Sequence, residues 1–232
     1  MTMHIPDGFL TILLSAIMWA IAIILLAFAF WRLERNFNEK QIPLMATLTA
    51  MFFAAQMMNY PIIGGTTAHL LGGPILAITL GPYAALVSMT VILVIQALVF
   101  GDGGILTLGA NIVNMGIVGV FIPWVIFVLI YRISPNRTGM IVGGFAAAFF
   151  GDFLAAISAA IMLGFSYPLF PYSTPIALIA MGVHHSVIGV IEGGATVVIL
   201  LVIDGVRPDL LVIERVVPSI TGDWSPKLEE VL

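Results

Sequence analysis

Apolar runs of about 20 residues, the length that crosses a bilayer core as a helix, recur along the chain between short polar or glycine- and proline-rich breaks. The first runs from Phe9 to Trp31 and ends at Arg32, Arg35 and Lys40. The second, Ile42 to about Tyr60, is rich in methionine and carries Gln56 and Asn59 near its end. After the break Pro61-Ile62-Ile63-Gly64-Gly65-Thr66-Thr67, a third stretch from His69 to Leu80 is too short to cross unaided. It reads as a tilted or partly buried helix, or one prolonged at its start by Thr66 and Thr67. Gly81-Pro82 opens a fourth run to Phe100, and the turn Gly101-Asp102-Gly103-Gly104 leads to a fifth, about Ala110 to Tyr131, with Asn111 and Asn114 in its first turn. The sixth, Thr138 to Phe165, carries Asp152, and the seventh, Ile176 to Ile203, carries His184, His185 and Glu192. The expected fold is all-α, a bundle of about seven transmembrane helices.

Charge orients this bundle. All 8 lysines and arginines follow the first, fifth and seventh runs: Arg32, Arg35, Lys40; Arg132, Arg137; Arg207, Arg215, Lys227. Positive residues favour the cytoplasmic side, so the N-terminus is expected outside and the C-terminus inside. That agreement requires the short third stretch to cross. Three regions follow: an outer tail over residues 1–8, a membrane domain over 9–203, and a cytoplasmic tail over 204–232 whose Pro208, Pro218 and Pro226 oppose one long helix.

Composition narrows the chemistry. At 61% hydrophobic and 9% charged residues, with a mean hydropathy of +1.15, this is an integral membrane protein in the lipid bilayer. No basic patch exists for nucleic acid. With Cys 0, any metal site must use nitrogen or oxygen donors. Neither a phosphate-binding glycine loop nor a His-Glu-x-x-His pattern is present, so energy for any transport must come from a partner or a gradient.

The tail Met1-Thr2-Met3-His4-Ile5-Pro6-Asp7-Gly8 stands ahead of the first run. A terminal amine, amide nitrogens and an imidazole can wrap one cation in fused rings, the nitrogen-rich tetragonal field that Ni(II) and Cu(II) favour. His69 is expected on the same outer face, and two imidazoles with backbone or terminal nitrogens complete a four-nitrogen set that Mg(II) and Ca(II) do not want. Against this, His4 and His69 could each merely cap a helix. Asp102 also falls on the outer side. His184 and His185 suit a structural role or the orientation of a ligand. Because His185 and Glu192 are separated by about 10 Å along a helix, they cannot easily chelate one ion. Asp152 is expected to accept from backbone or asparagine groups. Ala16 and Ala20 form a small-xxx-small face for another helix, within this chain or outside it.

Four separated motifs, Met3-His4-Ile5-Pro6-Asp7-Gly8-Phe9, Gly64 to Gly73, Phe100 to Gly104 with Leu108 to Met115, and His184 to Gly193, resemble the CbiM/NikM family, the substrate-binding membrane subunits of energy-coupling-factor transporters for cobalt and nickel. The resemblance runs to about Ile203. It implies a seven-helix bundle that captures Ni(II) or Co(II) as transported substrate, without a permanently bound cofactor and without enzymatic activity. The ligands it implies fall on Met3, His4 and His69, with Asp102, Asn111, Asn114, His184 and His185 around them. The implied partners are a transmembrane coupling subunit, ATP-binding cassette ATPase subunits and a small accessory membrane subunit, with the Ala16/Ala20 face as a contact.

One departure matters. Members of the family begin directly with Met-His, whereas Met1 and Thr2 precede it here. A start at Met3 restores the family site. Removal of Met1 leaves Thr2-Met3-His4, itself a chelate able to fill a square plane and displace His69, and retention of Met1 makes the register one residue too long for it. A reading of another class is a stand-alone secondary cation carrier with Asp152, His184 and Glu192 as a proton path.

Overall fold

The structure, a computed structural model, describes residues 4–36, 41–58, 60–62 and 66–211. Met3 and the tail beyond residue 211 lie outside the described residues, as do Lys40, Asn59, Gly64 and Gly65. The chain forms α1 (Ile12–Asn36), α2 (Ile42–Gln56), a two-stranded antiparallel hairpin of β1 (Tyr60–Ile62) and β2 (Thr66–Ala68), then α3 (Gly73–Leu80) and α4 (Pro82–Val99). After these come α5 (Leu108–Ile133), α6 (Arg137–Phe165) and α7 (Thr174–Val206). Five of them, α1 and α4 to α7, are long and apolar enough to cross a membrane.

The third apolar stretch is where expectation and structure part. Thr66 and Thr67 do not prolong α3 but sit in β2, paired with Ile62 and Pro61. Residues His69 to Gly72 are non-helical, and α3 is only 8 residues long. At 1.5 Å per helical residue and about 3.3 Å per extended one, this segment and α3 together span about 25 Å, close to the roughly 27 Å of α4. All of α3 is buried. Non-helical backbone at such depth is tolerated only inside protein, and the bundle surrounds it.

Small residues make that enclosure possible. In α6, Ala147, Ala148, Ala155, Ala156, Ala159 and Ala160 are buried in pairs one or two turns apart, so helices approach closely without an apolar driving force between them and lipid. A Cβ on Gly193 would stand 2.7 Å from the Phe145 ring, and one on Gly144 2.5 Å from Leu200, across the contact between α6 and α7. Within α5, residues Ile112–Val118 form a π-helical turn, and Pro123 interrupts the ladder downstream. Pro123 has no N–H to offer Gly119, four residues earlier. The carbonyl of Gly119 faces α3 instead, 2.1 Å from where a Cβ on Gly73 would stand, so only glycine fits there.

Candidate metal centre

The N-terminal tail is tied down residue by residue onto the loop between α4 and α5. Ile5 N–H donates to Asn111 Oδ1 at 2.7 Å, and its carbonyl accepts from Asn111 Nδ2 at 3.1 Å and Gly104 N–H at 3.0 Å, as well as from the Thr107 hydroxyl. The Asp7 carboxylate accepts from the backbone N–H of Ile105, Leu106 and Thr107 at 3.1, 2.9 and 3.2 Å. These donors belong to the turn that leads into α5, with Thr107 as its N-cap. The glycines of the loop are required by contact. A Cβ on Gly104 would sit 2.0 Å from Asp7 Oδ1, and Gly103, at φ +95, lies 3.0 Å by the same measure from His4 Cβ. Farther along, Thr11 N–H donates to Ser166 Oγ at the end of α6, and Phe9 packs on Phe170.

Docked in this way, the tail brings His4 against His69. Their ring centroids are 5.1 Å apart at an interplanar angle of 65°. Both are buried. His4 Nδ1 lies 3.2 Å from the Asp102 carbonyl, to which it donates, and 3.2 Å from the carboxylate Oδ1. His69 Nδ1 donates to the Leu70 carbonyl at 2.9 Å. That bond sets the tautomer and leaves the Nε2 lone pair exposed within the protein, where it has no hydrogen-bond partner among the described residues. His69 lies in the non-helical connection that leads into α3.

Two side chains, Glu192 and Gln56, hold the His69 segment. Glu192 Oε2 and Oε1 accept from the backbone N–H of Leu71 and Gly72 at 2.8 and 2.7 Å. Gln56 Nε2 donates to the Leu71 carbonyl at 2.7 Å, and Gln96 Nε2 donates to Gln56 Oε1 at 3.2 Å. Gly72 takes φ +74, and a Cβ there would strike the Phe52 ring at 2.1 Å. Polar residues within apolar runs were the signal for Gln56 and Gln96. What they bond could not be read, because the unwound segment they serve was not foreseen.

The remaining expected residues scatter around this pocket. Asn111 clamps the tail, whereas Asn114 sits in the π turn and accepts from Ser158 Oγ at 2.7 Å. His184 is turned back on its own helix, its Nδ1 2.8 Å from the Ala180 carbonyl. His185 faces α6, with Nδ1 3.0 and 3.1 Å from the two Asp152 oxygens. Asp152 thus accepts from an imidazole, not from the backbone or asparagine groups expected of it. Glu192 is occupied by the His69 segment and does not join a histidine. Ala16 and Ala20 are exposed on α1. No group of three or more His, Asp or Glu side chains that could hold a metal ion exists among the described residues, so a site here needs backbone or terminal nitrogens as well as the two imidazoles.

Comparison with known proteins gives one consistent answer. The family model described as "Cobalt uptake substrate-specific transmembrane region" (CbiM) matches residues 4–210. A protein of Archaeoglobus fulgidus named as a fused nickel transport protein, NikMN, is 41% identical over 209 residues, covering 90% of this chain and 68% of the relative. One of Haloquadratum walsbyi, named as a metal transport protein, is 37% identical and covers 90% of this chain and 93% of its own length. The crystal structure of a truncated transition metal transporter superposes with a TM-score of 0.80 at 38% identity, over 87% of this chain and 98% of that one.

Proposed function

We propose, from the premise that this chain belongs to the CbiM family of cobalt-uptake membrane proteins, that Ni(II) or Co(II) is captured where the N-terminal tail meets His69. The chain is a cobalt/nickel uptake membrane subunit, a transporter rather than an enzyme. The observation that carries the site is the buried pair of imidazoles, 5.1 Å apart, one of which presents a lone pair with its tautomer already set. His4 supplies its ring and amide nitrogen, Met3 supplies the next nitrogen, and His69 Nε2 closes the plane, a field suited to low-spin Ni(II). A chelate of His4 through its own amide uses Nδ1, because that ring has six members. Loading would take the proton off Nδ1 and off the amide nitrogen and exchange the Asp102 contact of Nδ1 for the ion, which ties capture to the loop between α4 and α5.

The same packing supports a membrane orientation. The tail binds the end of α4, the start of α5 and the end of α6. Arg32 and Arg35 end α1, Arg132 ends α5, Arg137 starts α6 and Arg207 follows α7. Every one of these cations is at the helix end away from the tail. The positive-inside tendency then puts the tail and the pocket on the outer face. ATP hydrolysis belongs to partner ATPase subunits, coupled through a transmembrane subunit, and a small accessory subunit completes the assembly. The exposed Ala16/Ala20 face of α1 is the surface on which a partner helix would approach.

The decisive experiment is intact-mass and N-terminal analysis of the purified protein, followed by Ni(II) and Co(II) titration of the same material. A chain beginning at Met3 that binds tightly, and loses that binding on His69→Ala, is the expected result. Full affinity retained by His69→Ala would point to a Thr2-Met3-His4 chelate. Equally tight binding by a chain that begins at Met1 would remove the terminal amine from the site. Uptake that requires the ATPase partner supports the coupled transporter; uptake by this chain alone that collapses with an uncoupler would favour a secondary carrier.

A further inference from the structure

His185 takes no part in the tail chelate, yet it is built as a ligand. It is 0% exposed, its Nδ1 bonds the Asp152 carboxylate, and its Nε2 has no hydrogen-bond partner among the described residues. A buried polar atom left unpaired calls for an explanation. An imidazole whose Nδ1 is held by a carboxylate while Nε2 stays open is the arrangement that metal-ligating histidines use, since the second partner sets the tautomer and raises basicity. His69 has the same construction, with the Leu70 carbonyl in place of the carboxylate.

Register puts the two side by side. Leu70 packs on Ile188, and Glu192, one turn farther along α7, takes the N–H groups of Leu71 and Gly72. Stepping back one turn on α7 and one residue on the extended segment leads to His185 and His69. His69 has the tail histidine against its ring, and the chain segment that carries it runs beside α7, where His185 lies about 16 Å from the start of the helix.

We propose that His69 and His185 form a second, weaker station for the transported divalent cation, deeper in the bundle than the tail chelate, with His69 as the ligand common to both. This rests on the reading of His69 as a capture ligand. Two neutral imidazoles and water suit Co(II), Ni(II) or Zn(II) and not Mg(II) or Ca(II). Coordination changes, and each amide nitrogen that the cation leaves takes back the proton it gave up on binding. The cation leaves the tail nitrogens and keeps His69 as His185 Nε2 joins.

Co(II) titration of purified full-length variants, followed by ligand-field absorption, separates the two stations. His185→Gln alone is expected to keep tight binding within about threefold, and this retention also reports an intact fold. His4→Ala, which disables the tail chelate, is expected to leave a weaker Co(II) site. Adding His69→Ala or His185→Gln to it should lower that residual affinity at least about tenfold, as should adding Asp152→Asn, whose amide oxygen still accepts the Nδ1 proton but backs the ring less strongly. A His4→Ala protein that shows no residual site, or one indifferent to His185, overturns the inference. Should His185→Gln fail to fold, the Asp152→Asn comparison decides by the same criterion. Wild-type protein without tight binding would overturn the capture site, and this station with it; tight wild-type binding with an indifferent residual site overturns this station alone.

Discussion

Two carboxylates in this molecule do the same local job at different depths. Asp7, exposed at the rim, gathers the N–H groups of Ile105, Leu106 and Thr107. Glu192, only 3% exposed, gathers those of Leu71 and Gly72. Water can replace Asp7 at the rim, whereas nothing but protein can replace Glu192 inside. The comparison teaches that a carboxylate in an apolar span can serve the backbone and need not bind metal. Glu192 lets the chain run extended through a membrane bundle, and the extended run delivers His69 to the tail.

Removing Glu192 should therefore have the largest effect. Glu192→Ala leaves two buried donors unmet at about 1–3 kcal/mol each, so thermal unfolding in detergent should shift strongly downward and metal binding should fall with it. Glu192→Gln keeps one acceptor and sharpens the comparison, with an expected loss of about half as much. A stability equal to wild type in Glu192→Ala would show that the segment does not depend on this carboxylate.

At the rim, geometry outweighs charge. Gly104→Ala drives a methyl into Asp7; global stability should change little, while Ni(II) affinity in isothermal titration should drop more than about tenfold as the tail lifts. Asn111→Ala removes both bonds to Ile5 and should weaken Ni(II) binding by about 1–2 kcal/mol, with the melting temperature nearly unchanged. Asp7→Asn retains an acceptor for the same donors and should cost under about 1 kcal/mol of binding. If Asp7→Asn proved as damaging as Glu192→Gln, the contrast between rim and interior would collapse.

The smallest effect on the isolated subunit is expected on α1, most of whose apolar residues are not buried. Ala16→Leu adds bulk to an exposed position and should leave stability and metal affinity within about 0.5 kcal/mol of wild type. Co-purification of a coupling subunit is the measurement that would register it, as a reduced yield of complex.

Hydropathy by itself determined the helical class and the approximate limits of most spans, because apolar length in a bilayer is a local property that each run satisfies alone. Chain boundaries moved by a few residues, as where the basic Arg32 and Arg35 proved to lie within α1. The sequence also marked His4, His69 and the glycine-flanked Asp102, since those residue types are conspicuous between apolar runs. Only the tertiary structure decided how the third stretch is built and which partners the polar side chains take. The hairpin, the extended His69–Gly72 run, the Glu192 clamp and the Asp152–His185 pair depend on contacts between residues far apart in the chain. A buried donor accepts whichever partner packing brings within about 3 Å, and no periodicity along the chain encodes which one arrives.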